Sequence, residues 1–202
     1  MPTPSRIAGL ILASGMSRRL AGANKLLLPV QGVPAVRRTV EAFCGSGLDP
    51  VAVVVGYQAE AVRDAIGDLP VRTVDNPDFE QGQSRALFHG LHALPAGTTA
   101  AVIGVGDQPL LTSEVIRVLM DTYLATGRSP VIPRYAGRRG NPALFDRRLF
   151  PELLAVTGDQ GGRPVIELHA DEVTWVDFPD PRLGQDLDTE EDYAIILQAL
   201  AE

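Results

Sequence analysis

A chain of 202 residues, 45% apolar and 21% charged, is long enough to bury a full core. A net charge of −7 argues against a nucleic-acid partner, and the single cysteine, Cys44, excludes a disulfide framework or a cysteine-rich metal cluster. No apolar run reaches bilayer length, and the opening MPTPSRI lacks the charged and apolar regions of a leader, so a cytoplasmic protein with no membrane partner is expected.

Ile7 to Leu12 is an apolar run that suits a buried parallel strand, and it breaks into Ser14-Gly15, Ser17, Arg18, Arg19, Gly22 and Lys25. Small residues, cations and free backbone N–H groups let a main chain wrap a phosphate closely, so this loop reads as a phosphate cradle. It contains neither a Walker A string nor a Gly-x-Gly-x-x-Gly string, and a basic, solvated βα turn is the other reading.

Leu26 to Val30 is apolar and runs into a turn at Gln31-Gly32, with Pro34 placed where a helix can begin. Ala35 to Ser46 has helical spacing, with Val36, Val40 and Phe43 inward and Cys44 as core filler. Pro50 to Gly56 is a second buried strand, Gln58 to Ile66 a short helix and Val71 to Val74 a third strand, followed by a turn at Asp75-Asn76-Pro77. Phe79 to Ser84 opens a helix through Leu94, and Ser84 suits a helix cap.

Thr99 to Val105 is the fourth strand and delivers Gly106-Asp107-Gln108-Pro109. A carboxylate just past the carboxyl end of a central parallel strand lands in the crevice where α/β proteins bind ligands, which makes Asp107 a candidate metal ligand; a turn-forming role is the alternative. Thr112 to Thr126 is a helix and Pro130 to Pro133 a fifth strand. Tyr135 to Gly140 is a glycine- and arginine-rich loop or a solvated hairpin, and the apolar segment after Asn141-Pro142 reads as a strand. A helical segment at Phe150 to Leu154 precedes the turn Gly158 to Pro164, which opens a helix through His169. Val173 to Phe178 suits an edge strand with Trp175 half-buried, and the last helix, Tyr193 to Leu200, has Asp188 and Glu191 as a capping box. His89, His92 and His169 are scattered without a partner at catalytic spacing, so no covalent intermediate is expected. Strands alternating with helices predict an α/β fold with a mostly parallel sheet.

The stretch Leu12 to Leu27 resembles the signature loop of the MobA-like nucleotidyltransferases and is most similar to that of the molybdenum cofactor cytidylyltransferases. Ser14, Leu20 and Ala21 depart from that pattern, and Ala86 and Phe88 stand where a serine and an arginine are usual. Gly82-x-Ser84, Gly106-Asp107-Gln108-Pro109, Gly140-Asn141-Pro142, Gly158-Asp159 to Arg163 and Asp186-x-Asp188-Thr189 follow in the family's order. The resemblance implies one nucleotidyltransferase domain over 1–202, built as a Rossmann-like three-layer sandwich. It implies Mg²⁺-dependent transfer of CMP from CTP to the terminal phosphate of molybdopterin, with release of pyrophosphate and a molybdoenzyme as possible recipient.

For the nucleotide, the resemblance points to Leu12, Ala13, Ser14, Gly15, Ser17, Lys25, Gly82, Ser84 and Asp107, with Lys25, Arg19 and Asp107 in catalysis. For the metal it points to Asp107 with Asp188 and Asp186, the former of these two preferred, and for the acceptor to Asn141, Pro142, Asp159 and Arg163. Two rivals share these motifs: a guanylyl or other NTP transferase acting on a different phosphorylated acceptor, and a non-catalytic or redox relative serving a molybdoenzyme.

Overall fold

The computed structural model describes residues 6–17 and 23–200. Its strands are β1 (Ile7–Ala13), β2 (Pro29–Val30), β3 (Val33–Pro34), β4 (Val51–Val55), β5 (Arg72–Asp75), β6 (Ala100–Val105), β7 (Val131–Tyr135), β8 (Arg138–Arg139), β9 (Ala143–Asp146) and β10 (Thr174–Phe178). Its helices are α1 (Ala35–Cys44), α2 (Ala59–Ile66), α3 (Gln83–Ala93), α4 (Ser113–Thr126), α5 (Phe150–Ala155), α6 (Arg163–Leu168) and α7 (Glu190–Ala199).

The main sheet runs β10-β7-β9-β6-β1-β4-β5, with β8 paired to β7. Only β8 and β9 run against the others, so the sheet is mostly parallel, as expected. Alternation along the strands sorts the core into two layers. Ile7, Ile11, Val53, Val55 and Val102 pack with Val40 and Phe43 of α1, Val62 of α2 and Ile116 of α4. Leu10, Leu12, Val54 and Ile103 pack on the opposite face with Leu87 of α3, Leu153 of α5 and Ile166 of α6. The result is a Rossmann-like three-layer sandwich of helix, sheet and helix. A third, smaller cluster joins Val30 and Ala35 to Leu187 and Ile196 of α7.

Several boundaries differ from the sequence reading, each for a local reason. Of the two readings of the glycine- and arginine-rich stretch the hairpin holds, because Ala136 and Gly137 both take positive φ, the geometry that a two-residue hairpin turn needs. The last helix starts at Glu190, capped by Thr189 and Asp192 in a reciprocal box, so Asp188 and Glu191 do not form the box. That one-residue shift leaves the Asp188 carboxylate available to the interior of the cleft described below. Ser84 does not cap α3: the cap position is Gly82, and Ser84 is buried as the second residue of the helix. Cys44 is partly buried against the first layer rather than enclosed in it.

The histidines that lacked partners in sequence acquire them in space. The His169 ring bonds Glu172 at 2.9 Å and Glu152 at 2.7 Å, tying the end of α6 to α5. Hydrogen bonds to Glu172 and then Glu152 hold its pKa above the usual imidazole value. Stability from the charged ring is therefore fully present below the unfolded value, ~6.5, and is lost as pH rises through the higher folded value. Thermal melts across this range should show that loss in the native chain and not in His169→Gln; equal slopes in both would remove the charged pair from the account.

Candidate active site

The site forms where the carboxyl ends of β1 and β6 lie side by side, since Leu12 pairs with Val105. That register sets Ala13 to Ser17 beside Gly106 and Asp107, and the Gly106 N–H donates to the Leu12 carbonyl at 3.0 Å. The chain returns to this edge much later: the Leu187 N–H donates to the Asp107 carbonyl at 2.9 Å, while the buried Leu187 side chain anchors the segment to the third cluster. Asp186 and Asp188, flanking an inward Leu187, are thereby brought to Asp107.

Lys25 begins a short 3₁₀ turn, Lys25–Leu27, which Asn24 caps by accepting from the Leu26 N–H at 3.1 Å. Ser17 Oγ accepts from the Lys25 N–H at 3.0 Å and donates to Asn24 Oδ1 at 3.4 Å, fixing the base of the loop. From that base the Lys25 ammonium donates to Asp107 Oδ2 and, at 2.6 Å, to Asp188 Oδ1. Burial works against the charge on Lys25, but the two carboxylates more than offset it and raise its pKa.

Gln108 donates to Asp186 Oδ1 at 2.8 Å and to the Gly184 carbonyl at 3.3 Å. The surrounding protein atoms, and then the Asp107 charge, push the Asp186 pKa up to about 6 against that hydrogen bond. Asp186 keeps an open face to solvent. Asp107 Oδ1 is buried with no hydrogen-bond partner among the described residues, an acceptor shaped for a cation. The described residues hold no cluster of three or more His, Cys, Asp or Glu side chains that could bind a metal. Lys25 lies between two of the expected acids and Gln108 holds the third. A pair of carboxylates suits Mg²⁺, which takes one or two of them and completes its shell with phosphates and water.

Two adjoining cavities open here. One, about 770 Å³, is lined by Ala13 to Ser17, Lys25, Phe79 to Gln83 and the three acids. The other, about 640 Å³, has an apolar floor of Ile103, Phe145 and Ile166 with Arg139 and Arg163 at its rim. Leu12, Gln83, Val105, Asn141 and Asp159 belong to both, so they form the wall between them.

A family model of the MobA-like NTP transferase domain matches residues 9–173. The chain belongs to this family. Nicotine blue oxidoreductase of Paenarthrobacter nicotinovorans is 30% identical over 192 residues, covering 92% of this chain and 93% of that one. The crystal structure of Rv0371c from Mycobacterium tuberculosis H37Rv superposes with a TM-score of 0.83 at 29% identity, over 97% of this chain and 100% of that one. A manganese complex of the same mycobacterial protein gives 0.80 at 27%, over 96% and 100%.

In this MobA-like chain the expected nucleotide residues Leu12, Ala13, Ser14, Gly15, Ser17, Lys25, Gly82 and Asp107 all line the larger cavity. Arg19 lies outside the described residues. Ser84 and Pro142 are buried beside the cleft and line neither cavity, so any contribution from them is to its shape. Asp159 lines both cavities, but its carboxylate accepts from the Gln83 N–H at 3.2 Å and so caps α3. Arg163 is exposed and donates to Glu167 at 2.9 Å. Sequence reading missed Asn24, Gln108 and Asn76. Asn76 Nδ2 donates to Ser14 Oγ at 3.1 Å, which gives the unusual serine a partner. The signal available was the Asn-Pro turn after β5 and the asparagine before Lys25, both cap chemistry rather than catalytic chemistry.

Gly82 shows how tightly the two cavities are joined. Its φ is +100, and a Cβ there would lie 2.7 Å from the Gly158 carbonyl oxygen, which already accepts from the Ser84 N–H at 3.1 Å. Gly82→Ala should therefore cost about 2 kcal/mol, from the strained backbone and the displaced 158–159 turn. Urea unfolding measures this; an unchanged midpoint would show that the turn moves freely.

No described helix is long and apolar enough to cross a membrane.

Proposed function

We propose that this chain is a Mg²⁺-dependent cytidylyltransferase that moves CMP from CTP to the terminal phosphate of a molybdopterin-type acceptor. The observation that carries this reading is the Lys25 ammonium held between Asp107 and Asp188 in the larger cavity, against a second cavity with basic groups at its rim. The first suits a triphosphate and its cation, and the second offers an acceptor an apolar floor with Arg139 and Arg163 beside Asp159 and Glu167.

The backbone N–H groups of the loop after β1, with Lys25, bind the triphosphate and orient its α-phosphorus toward the shared wall. Asn141 in that wall, with Arg139 and Arg163 beyond it, positions the acceptor phosphate for in-line attack. A phosphate oxygen is already nucleophilic at neutral pH, so the residues need supply no dedicated base, only alignment and charge. The new bond joins an acceptor oxygen to the α-phosphorus, the bond from that phosphorus to the bridging oxygen breaks, and pyrophosphate leaves with the electron pair. Asp107 and Asp188 would hold the divalent cation, whose charge offsets that of the triphosphate. We place the reaction in the cytoplasm, with a molybdoenzyme as recipient of the product.

Incubation with each of the four NTPs, Mg²⁺ and molybdopterin tests the reading directly. Pyrophosphate release with CTP and acceptor together supports it; release with GTP instead, or only with another phosphorylated acceptor, moves the chain to a different transferase. A second reading, a redox role, is favoured by nicotine blue oxidoreductase, a relative that matches along nearly the whole chain. Nicotinamide- or flavin-dependent reduction of a dye by the purified protein, without pyrophosphate release, would establish it.

A further inference from the structure

We propose that Phe79 is the stacking platform for the nucleobase, so that the face of the base rests on this ring while its edge is presented to Ser14. The inference rests on the nucleotide reading of the larger cavity and goes beyond it by assigning the base half of that cavity. Lys25, Asp107 and Asp188 would take the triphosphate and its cation, and the Phe79 to Gly82 turn, which lines the same cavity, supplies an aromatic surface for the base. Phe79 is the one aromatic side chain among the described residues lining this cavity. A π face there gains stacking energy from any base.

The ring is held in place rather than merely present. Its centroid lies 6.3 Å from that of Tyr57 at an interplanar angle of 53°. A Cβ at Gly56 would approach Phe79 Cβ to 2.7 Å and Ser14 Cβ to 2.8 Å, so the absence of that carbon lets Phe79 and Ser14 close over the end of β4 as neighbours. Asn76 links the two: its Nδ2 donates to Ser14 Oγ at 3.1 Å and its Oδ1 accepts from the Asp78 N–H at 3.1 Å. Asp78 Oδ2 in turn accepts from Arg85 at 2.8 Å and lies 3.1 Å from His89, fastening the turn to α3. Ser14 Oγ, having accepted from Asn76, still carries its own proton to donate to a carbonyl on the edge of a base.

The test compares binding of Mg²⁺ complexes of CTP, GTP and tripolyphosphate, which has no base, by titration calorimetry. In Phe79→Ala both nucleotides should bind about tenfold more weakly while tripolyphosphate is unchanged. Phe79→Leu, which keeps most of the packing but not the π face, should weaken both nucleotides in the same sense; Phe79→Trp should restore or tighten them. Nucleotide affinity unchanged in the alanine and leucine variants overturns the platform and leaves the nucleotide reading standing. A parallel loss for tripolyphosphate overturns it too, because the ring would then be supporting the phosphate loop. Native protein that binds neither nucleotide overturns the nucleotide reading and the platform with it.

Discussion

Lys25→Met should abolish nucleotidyl transfer, by at least ~10³-fold, and also lower stability by about 2 to 3 kcal/mol at neutral pH. The two losses have one origin. The Lys25 ammonium is largely buried, with side-chain exposure of 17%, and is shared between Asp107 and Asp188, at 12% and 35%. Methionine keeps the unbranched stem, one atom shorter, and removes the charge, leaving two acids close together with Asp186 beside them and no cation to compensate. Partial exposure of Asp188 keeps the cost below what breaking a fully buried pair brings. Added Mn²⁺ or Mg²⁺ should recover part of the lost stability, because a divalent cation can replace the missing charge. Urea melts of the variant with and without metal measure this, and a variant as stable as the native chain would mean that the acids relax apart at no cost.

Asp107→Asn should lose transfer to the same extent yet cost only about 1 kcal/mol of stability. The asymmetry follows from who remains paired. Lys25 keeps Asp188 at 2.6 Å, and removing the Asp107 charge relieves Asp186, whose raised pKa should fall. The amide leaves one oxygen where the carboxylate offered two, so the buried position now held by Asp107 Oδ1 no longer attracts a cation. Pyrophosphate release measures the first effect and Mn²⁺ titration in the presence of nucleotide the second. Undiminished Mn²⁺ affinity in Asp107→Asn would remove this residue from the metal site.

The sheet was legible because parallel strands covered on both faces read as unbroken apolar runs, and β1, β4 and β6 do so. The direction of β9 was not, since Ala143 to Asp146 has the same apolar character whichever way it runs. The residue types of the site were legible from the order of motifs, but not how they meet. Lys25 is 82 residues from Asp107 and 163 from Asp188, separations over which local patterning says nothing about contact. Nor could a cap be separated from a ligand: Asp159 and Ser84 have side chains suited to either task. Only the approach of the 158–159 turn to Gly82 assigns one to the start of α3 and buries the other.

The reversed strand has an evolutionary consequence. β9 pairs Ala143 with Ile103, Leu144 with Val102 and Phe145 with Ala101, so its odd residues line the smaller cavity while Leu144 fills the opposite layer. Deleting a single amino acid within this strand would exchange the two sets, putting a leucine into the smaller cavity and a phenyl ring among the helices behind. Drift in what this half of the cleft accepts is thus open to point replacement at Ala143 or Phe145 but closed to length changes there. Insertions can accumulate instead at the Ala136-Gly137 tip, where added chain would alter the reach of Arg138 and Arg139 without disturbing the floor.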